Sequence, residues 1–291
     1  MSEPIFLITG ANGFIGKHVL KEVAFKLLHK TISISSKQEI SFFNFEQTHD
    51  IKSYKDLDKL IFGRQIILIH CATKFQKTNE MYPWTDLLSA NVKFPISIIT
   101  YLSKISDLFL INLNSYWQAV NGKIGHTNSL YAKSKIEFIN ELRSLKSYSK
   151  IKHVDLYLFD TYGPEDNREK LIPYMFDCFK HNKNIELSDV GQVLNFLHIN
   201  DVVAGLLGSI KSSNSGKVLE LSSVHNYSLK DVYNIFCEVT GKNLECNWTS
   251  QQPIVFMKSK WMIAEKPYFW QETKNLKLGI SEIWMQSLLI K

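Results

Sequence analysis

Arginine is almost missing from this chain: of 34 Lys and Arg residues among 291, only Arg64, Arg143 and Arg168 are arginines. Lysine therefore carries the basic charge, and the planar fork that grips a phosphate with two parallel hydrogen bonds is scarce. Cysteine is scarce too. Cys71, Cys178, Cys237 and Cys246 are scattered with no CxxC pair, which excludes a disulfide scaffold and a dithiol redox site and predicts free thiols packed as small core residues, with no metal. No apolar run approaches the roughly 18 residues of a spanning helix, and the short N-terminal run lacks the basic flank of a secretory signal. The expected compartment is the cytoplasm, with no membrane partner. The formal charge of +6 is spread rather than clustered, which argues against nucleic acid as a partner but is compatible with phosphorylated small ligands. Repeats, low-complexity tracts and disordered linkers are absent as well, so two lobes should pack together rather than hang on a tether.

Glycine is used sparingly, 13 in all, yet three fall at Gly10, Gly13 and Gly16 in ITGANGFIG. The apolar run Pro4 to Ile8 precedes them, and Phe14, Ile15, Val19, Leu20 and Val23 follow at helical spacing. Strand, turn and helix are predicted in that order. Glycines so placed permit a tight turn, a close approach of backbone to a pyrophosphate, and close packing of helix on strand. The helix also opens with free N–H groups suited to phosphate. Gly10, Asn12, Gly13, Phe14, Ile15 and Gly16 are the expected cofactor contacts here.

Strand-like and helix-like runs then alternate through the first half. Ile5 to Thr9, Thr31 to Ser35, Ile40 to Phe45, Gln65 to His70, Leu108 to Leu113 and Val154 to Phe159 read as strands, and Trp84 to Ser103 as a helix. The fold class is α/β: a doubly wound parallel (Rossmann) sheet, with a smaller C-terminal α+β substrate lobe beginning where Tyr162, Gly163 and Pro164 change the character of the chain. The expected division is a dinucleotide-binding domain over 1–162 and a substrate lobe over 163–291, with a segment near 194–215 returning to the sheet.

Tyr131 and Lys135 stand four residues apart, sixteen residues after Ser115. Ile136, Phe138, Ile139, Leu142 and Leu145 continue at helical spacing, so the pair shares a helix face. Tyr148 and Lys152 have the same spacing, but no helix is expected to hold them together. Hydride delivered to a ketone leaves negative charge on oxygen, and a proton donor must lie within reach of it. Tyr131 is the candidate donor, Lys135 the cation expected to lower its pKa, and Ser115 a second hydrogen-bond donor to the carbonyl. Asn112 and Asn114 could also donate there. His70, Cys71 and His198 read as structural, and Trp248, Trp261, Trp270 and Trp284 as core anchors rather than base-stacking rings.

With TGANGFIG at 9–16, HCAT at 70–73, Asn91, Ser115, YAKSK at 131–135, TYGPEDN at 161–167 and LHINDVV at 197–203, the chain resembles the extended short-chain dehydrogenase/reductases (the NAD-dependent epimerase/dehydratase family) over about residues 4–235. Within that group it looks most like the CDP-abequose and CDP-paratose synthase type of NADPH-dependent C4 ketoreductase. The resemblance implies further cofactor contacts at Ala72, Thr73, Asn91, Tyr131, Lys135 and Tyr162, and substrate contacts at Thr73, Ser115, Tyr116, Asp160, Arg168 and Asn195. It also implies a homodimer paired through the helices around Asn91 and Tyr131.

Three details refine that expectation. Ser35, Ser36 and Lys37 end the second strand with no acidic residue before Glu39, which favours NADPH over NAD because a carboxylate there would repel a 2′-phosphate. Where the family's 4,6-dehydratases place an Asp and Glu pair, this chain has Tyr116 and Trp117, which argues against water elimination. Leu194 stands where related enzymes carry the arginine that grips the sugar diphosphate; Arg168 is the replacement unless it is only a surface charge, and Asn195 and Lys170 are weaker choices. The expected activity is an oxidoreductase: NADPH-dependent reduction of a nucleotide-activated 4-keto-6-deoxy or 3,6-dideoxy hexose, for deoxysugar biosynthesis in a lipopolysaccharide O-antigen or similar surface polysaccharide. The alternatives are a C4 epimerase holding NAD tightly and a non-catalytic NADP-binding regulator.

Overall fold

The computed structural model describes residues 3–27, 29–34, 40–44, 47–50, 54–145, 151–188, 191–250 and 262–289. Strand β1 (Ile5–Thr9), buried throughout, runs through the glycine turn into helix α1 (Phe14–Leu20), which continues as a wider π-helical turn to Lys26. Strands β2 (Thr31–Ile34), β3 (Ile40–Asn44) and β4 (Gln47–Asp50), helix α2 (Tyr54–Ile61) and strand β5 (Gln65–His70) follow. Helices α3 (Trp84–Leu88) and α4 (Phe94–Ile105) are joined by a π-helical turn over Ser89–Lys93. Strand β6 (Asp107–Ser115), a short hairpin of β7 (Ala119–Val120) and β8 (Lys123–Ile124), helix α5 (Leu130–Ser144) and strand β9 (Lys152–Leu158) complete the first half.

Strand β10 (Asp160–Tyr162) opens the second half, followed by α6 (Leu171–His181), β11 (Ile185–Ser188), β12 (Val193–Leu194), β13 (Phe196–His198) and α7 (Ile199–Gly208). After them come β14 (Val218–Leu221), β15 (Tyr227–Ser228), α8 (Leu229–Thr240), β16 (Cys246–Thr249) and α9 (Leu276–Leu289). The main sheet has the order β14-β9-β6-β5-β1-β2-β3-β4. Its first six strands in that order are parallel, and β3 and β4 add an antiparallel edge. Five of the six expected strands that lie in the sheet therefore hold as parallel strands, but Ile40–Asn44 is antiparallel. Its partner β4 was not foreseen, because its QTHD sequence has no apolar alternation to announce a strand.

The two faces of this sheet differ. Side chains such as Phe6, Ile8, Ile67 and Ile111 pack beneath α1 and α7 together with Val202, Leu206 and Leu221. On the other face Ile5, Leu7, Leu68 and Leu110 meet α2, α4 and α5 through Leu57, Ile99 and Phe138. Alternation of side chains along each strand makes this division. Helix α7 and strand β14 thus serve the first half's core although they follow the second half's first elements. A separate apolar core gathers Tyr162, Met175, Phe179, Phe236, Ile280 and Trp284 in the C-terminal lobe. The four cysteines are free thiols, Cys178 fully buried. Among the described residues no helix is long and apolar enough to cross a membrane.

Candidate active site

The glycine turn explains its own composition. Gly10 has φ +68°, and a Cβ there would sit 2.7 Å from the Ala72 backbone; a Cβ on Gly16 would sit 2.1 Å from the Gly10 carbonyl oxygen. Both positions lack room for a methyl group as well as tolerating its absence. Gly13 is the N-cap of α1 and no side chain caps that helix, so its first N–H groups face outward for an anion. These features fit the pyrophosphate of a dinucleotide, with Asn12 exposed and Phe14, Ile15 and Gly16 in the first helical turn. Ser35, Ser36 and Lys37 lie outside the described residues.

The carboxyl ends of the central strands converge beside this turn, which is where ligands bind in open α/β sheets. Ser115 ends β6, Thr73 follows β5, and α5 brings Tyr131 and Lys135, 7% and 6% exposed, over the same edge. Ser129 caps α5 by accepting from the Ala132 N–H at 3.3 Å, fixing where the helix begins and hence where Tyr131 points. The Tyr131 phenol meets the hydroxyls of both Thr73 and Ser115. Phe75 and Trp117 pack edge-on against its ring at 5.0 and 6.2 Å.

One electrostatic expectation needs correcting. Burial pushes the Tyr131 phenol up to about 12, and the groups that pull it back are Thr73, the Arg168 charge and Ser115. Lys135 spends its charge elsewhere: burial lowers it to about 8 while Cys71 and Asp155 hold it up. Removal from water outweighs partial hydrogen bonding for both groups. A phenol so held is protonated at neutral pH and suited to donating. His70 is kept neutral, its pKa lowered to about 3 by burial and by Lys135, and its Nδ1 lies 2.7 Å from the Thr9 hydroxyl. The Cys71 thiol is pushed up to about 12 by burial, too high for a nucleophile.

Other expected site residues divide sharply. Asn91, in the π-helical turn, accepts from the Lys74 N–H at 2.6 Å and the Thr73 hydroxyl at 3.2 Å and donates to the Lys74 carbonyl and the Ser134 hydroxyl. Its amide has no bond left to give; it braces the Thr73 loop against α5 rather than touching a cofactor. Asn195 is fully buried, donating to the Ser223 and His225 carbonyls and to Asn226 and accepting from the Ser223 N–H. It ties a loop and does not face a substrate. Tyr162 turns into the C-terminal core, with its hydroxyl donating to the Asn275 carbonyl at 3.3 Å, so its side chain is not a cofactor contact either.

Arg168 is clamped by Asp166 at 2.7 Å, donates to Thr161 and stacks 4.1 Å over the Phe14 ring. That places it against the glycine turn rather than as a free claw for a diphosphate. Lys170 packs on the aromatic wall instead. Its ammonium lies 4.0 Å over Phe75 and 5.4 Å over Trp117, the two rings that flank Tyr131. Burial lowers its pKa while Asp160 raises it. Asp160 accepts from the Tyr116 hydroxyl at 3.1 Å, and burial raises its own pKa against the pull of Lys170. Tyr116 and Asp160 thus satisfy each other at the floor of the site, beside Phe159 stacked on Tyr116 at 5.0 Å. Leu194 is buried in β12.

His198 is structural: Nδ1 accepts from the Asn200 N–H at 3.3 Å to cap α7, and burial lowers its pKa to about 4. Trp284 is a core anchor and Trp270 donates to the Asp201 carbonyl at 2.8 Å; Trp261 lies outside the described residues. Phe75, Gln118 and Asp155 were missed from sequence. A carboxylate inside the apolar run VDLYLF was the one available signal.

Comparison with known proteins gives the family and the fold. The sequence profile of the NAD dependent epimerase/dehydratase family matches residues 6–235. CDP-abequose synthase of Salmonella muenchen is 26% identical over 250 residues, 83% of each chain, and that of Yersinia pseudotuberculosis is 24% identical over 82% of this chain and 85% of its own. Among solved structures, UDP-glucuronic acid 4-epimerase of Bacillus cereus with UDP-glucuronic acid and NAD superposes with TM-score 0.78 at 16% identity, over 97% of this chain and 99% of that one. An epimerase of Methanothermobacter thermautotrophicus reaches 0.80 at 13% identity over 99% and 94%.

Proposed function

Because the chain belongs to the NAD dependent epimerase/dehydratase family, we propose that it is an NADPH-dependent ketoreductase that reduces the C4 carbonyl of a nucleotide-activated 4-keto-6-deoxy or 3,6-dideoxy hexose. One observation carries the reading: a protonated, buried Tyr131 phenol bracketed by the Thr73 and Ser115 hydroxyls at the carboxyl edge of the sheet, beside the glycine turn. The nicotinamide cofactor, when bound, supplies hydride. Ser115 holds the carbonyl oxygen, and Tyr131 delivers a proton to it as charge develops. Gly10 through Gly16 bind the pyrophosphate, and Lys135, one helical turn beyond Tyr131 on α5, is the cation offered to the nicotinamide ribose. Phe75 and Trp117 shield the reacting oxygen from water.

CDP-abequose synthases among the relatives support a deoxysugar substrate. Lys170, on the aromatic wall, is the cation offered to the diphosphate in place of the arginine absent at Leu194. NADPH rests on Ser35, Ser36 and Lys37 in the sequence. A cytoplasmic homodimer fits the family and the exposed Trp84 on the outer face of α3; light scattering checks it. The second reading, a C4 epimerase retaining NAD, draws on the solved neighbours. Incubation with a CDP-4-keto-3,6-dideoxyhexose and NADPH separates the two: stoichiometric loss of NADPH absorbance marks the reductase, and isomerisation without net oxidation the epimerase. A Tyr131→Phe chain that bound NADPH and left cellular sugars unchanged would point to a regulator.

A further inference from the structure

Strand β14 buries a carboxylate at one end of the main sheet. Leu219 and Leu221 point into the core beneath α7, so Glu220 between them points to the other face, and it is 1% exposed. A charge so deep persists only where hydrogen bonds compensate it. Its Oε1 accepts from the Ser222 hydroxyl at 2.6 Å, and its Oε2 accepts from two successive backbone N–H groups, Ile263 at 2.8 Å and Ala264 at 3.4 Å. The main chains also meet: the Glu220 N–H donates to the Glu265 carbonyl at 3.0 Å, and Leu219 and Glu265 form a parallel bridge. Side chain and backbone of β14 together clamp the stretch Ile263 to Glu265.

The clamp holds a side chain at the floor of the site. Half-buried Ile263 packs on the pair Tyr116 and Phe159, together with Trp117 and Val193. That pair is stacked at 5.0 Å, Trp117 meets Tyr116 edge-on at 6.4 Å, and Trp117 in turn meets Tyr131 at 6.2 Å. Apolar surface thus continues from the proton donor to Ile263, whose side chain keeps part of its surface open. Farther along, the same segment is fastened independently. Asp201 accepts from the Thr273 N–H and the Lys274 N–H, each at 3.1 Å, and Glu272 accepts from the Ser223 hydroxyl at 2.7 Å and the Val224 N–H at 3.0 Å. Loss of the Glu220 clamp therefore frees Ile263 without undocking the segment.

We propose that Ile263 is a wall of the nucleotide-sugar pocket and that Glu220 is the positioning residue that sets it against the Tyr116 and Phe159 rings. The inference rests on the nucleotide-sugar reading for its ligand and on the hydrogen bonds alone for the clamp. Holding this backbone in place before substrate arrives removes an ordering cost from binding. The clamp therefore acts on KM for the sugar more than on kcat or on KM for NADPH.

Amide hydrogen exchange on the full chain, read residue by residue by NMR, tests the clamp without substrate. Glu220→Leu removes both acceptors and is expected to speed exchange at Ile263 and Ala264 roughly 10- to 100-fold, the worth of a hydrogen bond to a charged group. Glu220→Gln keeps an oxygen for the two N–H groups and can donate to the Ser222 oxygen, so it stays near wild type. If Glu220→Leu does not fold, Glu220→Asp, which draws the carboxylate back by one carbon, is read in its place. Unchanged exchange overturns the proposal. In steady state with a CDP-4-keto-3,6-dideoxyhexose and NADPH, Ile263→Ala and the clamp variant each raise KM for the ketosugar about tenfold. Because Glu220 acts through Ile263, the double variant is expected to match the larger single one, and a product of the two effects, about a hundredfold, overturns the proposal. So does an Ile263→Ala chain with wild-type KM. A wild-type chain that oxidises no NADPH fails the reductase reading, and the same variants are then compared in affinity for CDP-, UDP- and dTDP-glucose. A non-additive loss of about tenfold supports the wall; unchanged affinity, or binding of none of the three, overturns it.

Discussion

The two ends of the site are built differently. At the cofactor end, Gly10, Gly13 and Gly16 lie within seven residues and Tyr131 and Lys135 within five, so local geometry alone assembles them. At the substrate end, Tyr116, Asp160, Arg168 with Lys170, and Asn195 come from four separate places, and two of these five residues are consumed by the protein's own needs: Arg168 by Asp166 and Asn195 by the Ser223 loop. The difference teaches that a residue's place in a motif predicts its role only when the motif also fixes what its side chain can reach.

Breaking the contrast starts with its strongest member. Tyr131→Phe removes the proton donor and is expected to lower kcat by about a thousandfold with little change in NADPH affinity, read from steady-state rates and a cofactor titration. Gly16→Ala drives a methyl group into the Gly10 carbonyl at 2.1 Å. A loss of about 2–3 kcal/mol in denaturant unfolding and weaker NADPH binding are expected. By contrast Gly63→Ala, where φ is +68° but nothing lies within 4 Å, should cost only about 1–2 kcal/mol and leave binding alone.

Lys170→Ala sharpens the substrate end. Loss of a charged contact worth about 1.5–3 kcal/mol should raise KM for the nucleotide sugar roughly 10- to 100-fold, with kcat nearly unchanged. Asn195→Ala should do the reverse of a substrate contact. Leaving the Ser223 N–H and two carbonyls unpaired costs about 1–3 kcal/mol of stability, with KM within about twofold, because that side chain never reaches the site. The smallest effect is on pH. Lys135 has a pKa of about 8, below its ordinary value, so it is an ammonium below that point and neutral above it. The reduction rate is expected to hold through neutrality and to decline as pH rises through about 8, while Tyr131 at about 12 stays protonated throughout.

Much of the cofactor end was legible because backbone physics writes itself into residue type. Only glycine satisfies the positive φ of Gly10 and the close approach at Gly16, and the apolar stripe after Tyr131 announces the helix that holds Lys135. The alternation of runs likewise gave the parallel sheet, although the antiparallel direction of Ile40–Asn44 depends on a turn whose chemistry those runs do not encode. Asn91 and Tyr162 were found by their motifs but misjudged in their reach. Each is placed by the family pattern, yet its polar atoms bond to Ser134 and to Asn275, partners 43 and 113 residues away.

The chain's order of residues therefore determined the sheet, the glycine turn and the pairing of a phenol with an amine on one helix face, since these depend on spacings of a few residues. Tertiary structure alone decided which charges were still free. Arg168 lost its independence to Asp166 and Lys170 gained the aromatic wall, because electrostatic energy depends on distance and burial in space rather than on separation along the chain.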